Sequence, residues 1–83
     1  MSFTVVVQET ALRALARIRA EDKDAFASIR RALAALAEQP HPHEAVAWGG
    51  TGIYRLHLPG IRILYELDED TATISVINVA VTA

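Results

Sequence analysis

Residues 53–67 read IYRLHLPGIRILYEL, and this stretch decides the fold. Two runs of alternating apolar and polar residues meet at Pro59-Gly60, the pattern of two strands joined by a short turn. Direct pairing across that turn places Leu58 opposite Ile61, His57 opposite Arg62 and Arg55 opposite Leu64. Side chains alternate faces along a strand, so Arg55, His57 and Arg62 share one face. Tyr54, Leu56, Leu58, Ile61, Ile63 and Tyr65 take the other, which reads as core. A face built from two arginines and a histidine suits a phosphate-bearing partner better than an apolar one. A loop longer by one residue would slip the register and separate Arg62 from the others. Pro-Gly favours a type II turn, whose twist fits a tight hairpin poorly, so a slightly longer loop is the alternative.

Outward from this hairpin, Phe3 to Val7 (FTVVV) is a β-branched run that predicts a buried first strand. Thr10 is expected to cap a helix running to about Arg19, with Leu12, Leu15 and Ile18 at helical spacing. Glu21 to Asp24 gives a polar break, and Asp22 is the expected N-cap of a second helix. That helix carries an apolar stripe of Phe26, Ile29, Leu33 and Leu36, and Pro40 stops it. His41 to Gly52 reads as a loop, Asp68 to Asp70 as a turn, and Ile74 to Val81 as a last strand. The order β-α-α-β-β-β predicts one α+β domain spanning residues 1–83. Its helical hairpin packs on a mainly antiparallel four-stranded sheet.

Bulk properties narrow the function classes. The chain has 83 residues, five of them aromatic, so its core must come mainly from Ala, Leu, Ile and Val. It has no cysteine, which removes disulfides, thiolate metal sites and a cysteine nucleophile. The start, MSFTVVVQET, lacks the pattern of a secretion signal, and no apolar run is long enough to cross a bilayer. A cytoplasmic protein is the expectation. The net charge of −2 argues against binding nucleic acid by bulk charge, so any such contact must come from a local patch. Seven of the eight basic residues are arginine, the side chain suited to bidentate phosphate contacts.

The ordered combination of a short first strand, a helical hairpin closed by LAALAEQP, GGTGIYRLHL, GIRILYELDED and a final apolar strand resembles the RelE/ParE family. These are the toxins of bacterial type II toxin–antitoxin modules, and the resemblance spans essentially the whole chain. It implies a cognate antitoxin as partner and, for RelE-type members, ribosome-dependent cleavage of mRNA without a metal ion or other cofactor. In such cleavage a ribose 2′-hydroxyl attacks the adjacent phosphate, which calls for a base, an acid and positive charge on the phosphate oxygens. Carried over by position, Arg55, His57 and Arg62 fall where these nucleases place basic residues. His57 then serves as base or acid, and the two arginines hold the phosphate. RelE-type enzymes continue past the last strand with a basic segment holding an arginine and a tyrosine or histidine. Here the sequence reads INVAVTA, with Thr82 nearest that arginine. Beside the nuclease stand a ParE-like inhibitor of DNA gyrase, a degenerate toxin that only binds antitoxin, and an unrelated domain of the same topology.

Several residues carry a plainer reading. Arg55, His57 and Arg62 also fit a solvated sheet face with pairs such as Arg55 and Glu66. His41, His43 and Glu44 are metal-ligand types but are too few to close a coordination sphere, and a helix-ending loop is the expectation. Trp48 beside Gly49 and Gly50 can stack on a base, but a core-edge cover or a partner anchor is the expectation. Arg13, Arg17, Arg30 and Arg31 read as a solvated face that adds long-range attraction for an acidic antitoxin or for RNA.

Overall fold

The computed structural model describes residues 2–82; Met1 and Ala83 lie outside the described residues. Five strands and two helices run in the order β1 (Thr4–Val7), α1 (Glu9–Glu21), α2 (Lys23–Glu38), β2 (Ala45–Ala47), β3 (Ile53–Leu58), β4 (Ile61–Asp68) and β5 (Thr73–Val81). They form one sheet in the order β1-β5-β4-β3-β2, with β1 parallel to β5 and every other pairing antiparallel. The expected α+β architecture is present, with five strands where the sequence pattern predicts four. The addition is β2, which pairs Ala45 with Leu56 and Ala47 with Tyr54. Alanine is a poor strand former, and the open edge of β3, not local propensity, draws this segment into the sheet.

A single residue separates the helices. The Asp22 amide donates to the Ile18 carbonyl at 2.7 Å, ending α1, and its side chain accepts from the Ala25 amide at 3.0 Å, starting α2. Asp22→Ala is therefore expected to destabilise the fold by about 1 kcal/mol, measurable as a lower midpoint in urea. The Thr10 cap is not made: Gln8 occupies the N-cap with no side-chain bond, and Thr10 sits in the first turn. Helix α2 ends at Glu38, two residues before Pro40, as expected.

The core lies between the helices and one face of the sheet. Ile63, Tyr65, Ile74 and Val76 are fully buried, and Ile29 and Leu36 of α2 meet them. On α1 the buried side chains are Ala11, Ala14 and Ile18. Leu12, expected within that stripe, is 58% exposed. Small residues at positions 11 and 14 let the helix backbone approach the sheet closely, which turns the leucine outward. Exposed arginines cover the outer helix surfaces, with Arg13 paired to Glu9 and Arg31 to Ser28.

The hairpin keeps the direct register, with Leu58 opposite Ile61, His57 opposite Arg62 and Arg55 opposite Leu64. Gly60 takes φ +73°, the left-handed value a type II turn requires at that position, so glycine tolerates what a side chain would resist. Asp68 closes the next turn by accepting from the amides of Asp70 and Thr71 at 3.0 and 3.2 Å.

Strand β5 is irregular at its middle. Tyr65 pairs with Val76 but Leu64 pairs with Asn78, leaving Ile77 as an extra residue on β5. Beyond this bulge Asn78 lies on the open face with Leu64 and Arg62, while Val79 turns into the core opposite Ile63.

Candidate functional site

The sheet face turned away from the helices carries the polar residues of the hairpin. Arg55 and His57 project from β3 and Arg62 from the facing position on β4. Together with Leu64, Asn78 and Ala80 they line a shallow depression of about 250 Å³. A second hollow of about 190 Å³ lies on the other side of Arg55 and His57 and is lined by Val46, Ala47 and Trp48. Neither is lined by a carboxylate. A chain with a net charge of −2 thus keeps one patch where cations go unopposed, which favours an anionic ligand there.

Each side chain is held differently. Arg62 is half-buried, and its Nη1 donates to the carbonyls of Leu58 at 3.1 Å and Ile61 at 3.0 Å, so it braces the turn it faces. The opposite edge of its guanidinium keeps donors for a ligand. Arg55 lies over the Trp48 indole with its guanidinium carbon 5.1 Å from the ring centroid, a cation–π contact. The cross-strand partner of Glu66 is Ile53, and Arg55 takes the tryptophan instead. His57 is half-buried and is the one imidazole in the depression.

Sequence reading placed Arg55, His57 and Arg62 on one face, and the structure brings them together. It did not anticipate Asn78, which reaches the depression only because of the bulge. Nor did it reveal the contact between Trp48 and Arg55, which depends on β2 pairing with β3. The Asn78 Oδ1 accepts from the Val79 amide at 2.9 Å, leaving its amide donors for other partners.

The remaining candidates lie elsewhere. His41 is 2.9 Å from Glu69 and meets Tyr54 edge-on at 5.4 Å, and among the described residues no three His, Asp or Glu side chains come together as a metal site. Tyr54 and Tyr65 stack on the helix side of the sheet, with centroids 5.5 Å apart. The Tyr65 hydroxyl donates to the Pro40 carbonyl at 3.0 Å. Burial, and secondarily the neighbouring phenol of Tyr54, push its pKa up to about 12. A raised folded-state value means the native protein holds this proton more tightly than the unfolded chain. The resulting stability is complete below about pH 10 and is lost as the pH rises through about 12. The expected loss is on the order of 1 kcal/mol, seen as an alkaline drop in the urea midpoint that Tyr65→Phe removes.

No helix among the described residues is long and apolar enough to cross a membrane. A search of the curated proteins finds no match for the sequence. Among solved structures, the RelBE2 toxin–antitoxin complex of Mycobacterium tuberculosis is 19% identical and aligns over 98% of this chain and 99% of that one, with a TM-score of 0.81. The archaeal RelE–RelB complex of Pyrococcus horikoshii is 21% identical over 98% of this chain and 96% of that one, with a TM-score of 0.83. The isolated RelE toxin of E. coli is 18% identical over 99% of this chain and 86% of that one, with a TM-score of 0.83. At these identities the likeness establishes a shared RelE-like fold. At the level of sequence, the family described as the ParE toxin of the type II toxin–antitoxin system parDE matches residues 5–82. With nearly its whole length matched, from β1 through β5, the chain belongs to the ParE toxin family, within the RelE/ParE group of type II toxin–antitoxin modules.

Proposed function

We propose that this chain is a toxin that cleaves mRNA on the ribosome and is neutralised by a cognate antitoxin. The observation that carries this reading is the hairpin register, which sets His57 directly across from Arg62 with Arg55 two positions along the same face. In the reaction, the 2′-oxygen of one ribose bonds to the adjacent phosphorus as the bond from phosphorus to the 5′-oxygen of the next nucleotide breaks. Arg62 and Arg55 neutralise the charge that gathers on the non-bridging oxygens. His57 moves one of the two protons, either taking it from the 2′-hydroxyl or giving it to the departing 5′-oxygen. The other falls to solvent or to the ribosome, since no second acid–base side chain lines the depression.

The antitoxin reading draws on the RelB complexes of the similar RelE structures. An apolar groove of about 190 Å³ between α2 and β3, lined by Ala32, Ala35, Leu36, Leu56 and Leu58, offers a seat for an apolar antitoxin segment.

A second reading, inhibition of DNA gyrase without catalysis, is favoured by the sequence match to ParE toxins and by the single imidazole of the depression. Induced expression followed by mapping of mRNA ends separates the two. The native chain is expected to cut translated messages, and the double variant His57→Ala, Arg62→Ala to leave them intact. Growth arrest with intact messages and stalled replication would move the assignment to gyrase.

A further inference from the structure

We propose that Trp48 is a stacking platform for a nucleobase, so that the two hollows flanking Arg55 and His57 bind one single-stranded RNA segment. Its phosphate sits at Arg55, His57 and Arg62, and the neighbouring base lies on the indole. The inference rests on the RNA reading of this face and deepens it by assigning a base subsite.

Three observations carry it. First, Trp48 is 55% exposed and lies outside the buried core, so packing does not account for a large aromatic there. Second, its position is nonetheless fixed. Its amide donates to the Ile53 carbonyl at 2.8 Å, and its own carbonyl accepts from the Thr51 hydroxyl at 2.8 Å. An exposed side chain on an anchored backbone is pre-organised for a ligand. Third, Arg55 belongs to both hollows and lies over the indole, whose large exposed fraction offers ring surface to a planar guest. A guanidinium in that position meets a phosphate with its N–H edge while its plane stays against the ring. Phosphate and base of one strand are adjacent, as the two hollows are. A duplex hides its base faces, so the ligand that fits is single-stranded. With no carboxylate lining either hollow, a basic peptide is a poor match.

Trp48 is the one tryptophan of the chain, so its fluorescence reports on this subsite alone. The 83-residue chain, purified free of antitoxin, is titrated with a single-stranded RNA tetramer and with an abasic ribose-phosphate tetramer of equal charge. The base-bearing tetramer is expected to quench Trp48 and the abasic one to leave it nearly unchanged. Trp48→Ala is expected to weaken binding of the base-bearing tetramer roughly 5- to 100-fold, with part of the loss recovered in Trp48→Phe. Circular dichroism of both variants checks that this exposed position leaves the fold intact. Equal affinity for the two tetramers, or unchanged affinity in Trp48→Ala, overturns the proposal. So does quenching by antitoxin with none by RNA, which makes Trp48 a protein contact. Quenching by RNA from a toxin that cuts no message keeps the base subsite and removes the nuclease assignment.

Discussion

Tyr65→Ala is expected to cost about 3–5 kcal/mol, the range for deleting a large buried ring from a packed core. A chain of this length has a total stability of roughly 4–12 kcal/mol, so the variant should be at or beyond the edge of folding. The size of the effect comes from what Tyr65 joins. Its ring is fully buried at the centre of β4 and stacks on Tyr54 at an interplanar angle of 15°. Its hydroxyl reaches the Pro40 carbonyl, fastening the end of α2 to the sheet. Removing it opens a cavity and frees the segment leading into β2 at once. Urea unfolding monitored by far-UV circular dichroism measures the loss. Tyr65→Phe keeps the ring and should cost only about 1 kcal/mol at neutral pH. An alanine variant as stable as the phenylalanine one would show that the ring does not anchor the core.

The second large effect is functional. On the proposed nuclease reading, Arg62→Ala is expected to lower mRNA cleavage about 100- to 1,000-fold, the usual consequence of removing one donor from the oxygens that gain charge in the transition state. The same substitution removes two hydrogen bonds to the turn carbonyls of Leu58 and Ile61. These bonds are part-buried and water can replace their donors, so the stability cost should be only about 1 kcal/mol. Cleavage and thermal unfolding measured on the same preparations separate the roles. A fall in cleavage no larger than the fall in folded fraction would make Arg62 a brace for the turn and nothing more. Arg62→Lys keeps the charge without the planar fork, and should retain part of the turn's stability while recovering little cleavage.

Much of this molecule was legible in its sequence because the decisive signals are local. Alternation determines which residues of each strand share a face, and the two-residue turn at Pro59-Gly60 then sets His57 opposite Arg62. The Asp22 cap and the Pro40 stop are likewise written within a few residues of where they act. Features that depend on distant partners were not legible. The strand at Ala45–Ala47 exists because β3 has an edge to fill, and nothing in Ala-Val-Ala announces it. The outward turn of Leu12 depends on how closely α1 approaches β5, which the apolar spacing of α1 does not encode. The candidate site divides in the same way. Arg55, His57 and Arg62 come from one contiguous stretch, whose pattern is enough to group them. Asn78 and the stacking of Arg55 on Trp48 arise only when separate strands meet.

The extra residue in β5 makes that strand a splice of two parities. Before Ile77 the even-numbered positions face inward, as Ile74 and Val76 do; after it the odd-numbered ones do, as Val79 does. The half that pairs with β1 and the half that borders the cationic hollow are therefore indexed independently. Deleting Ile77 would make the pairs of Val76 with Tyr65 and Asn78 with Leu64 consecutive, straightening the strand while Asn78 stays on the hollow and Val79 in the core. The bulge thus absorbs one residue of length, and both the surface beside the hollow and the parallel junction that holds the first strand keep their facing with or without it.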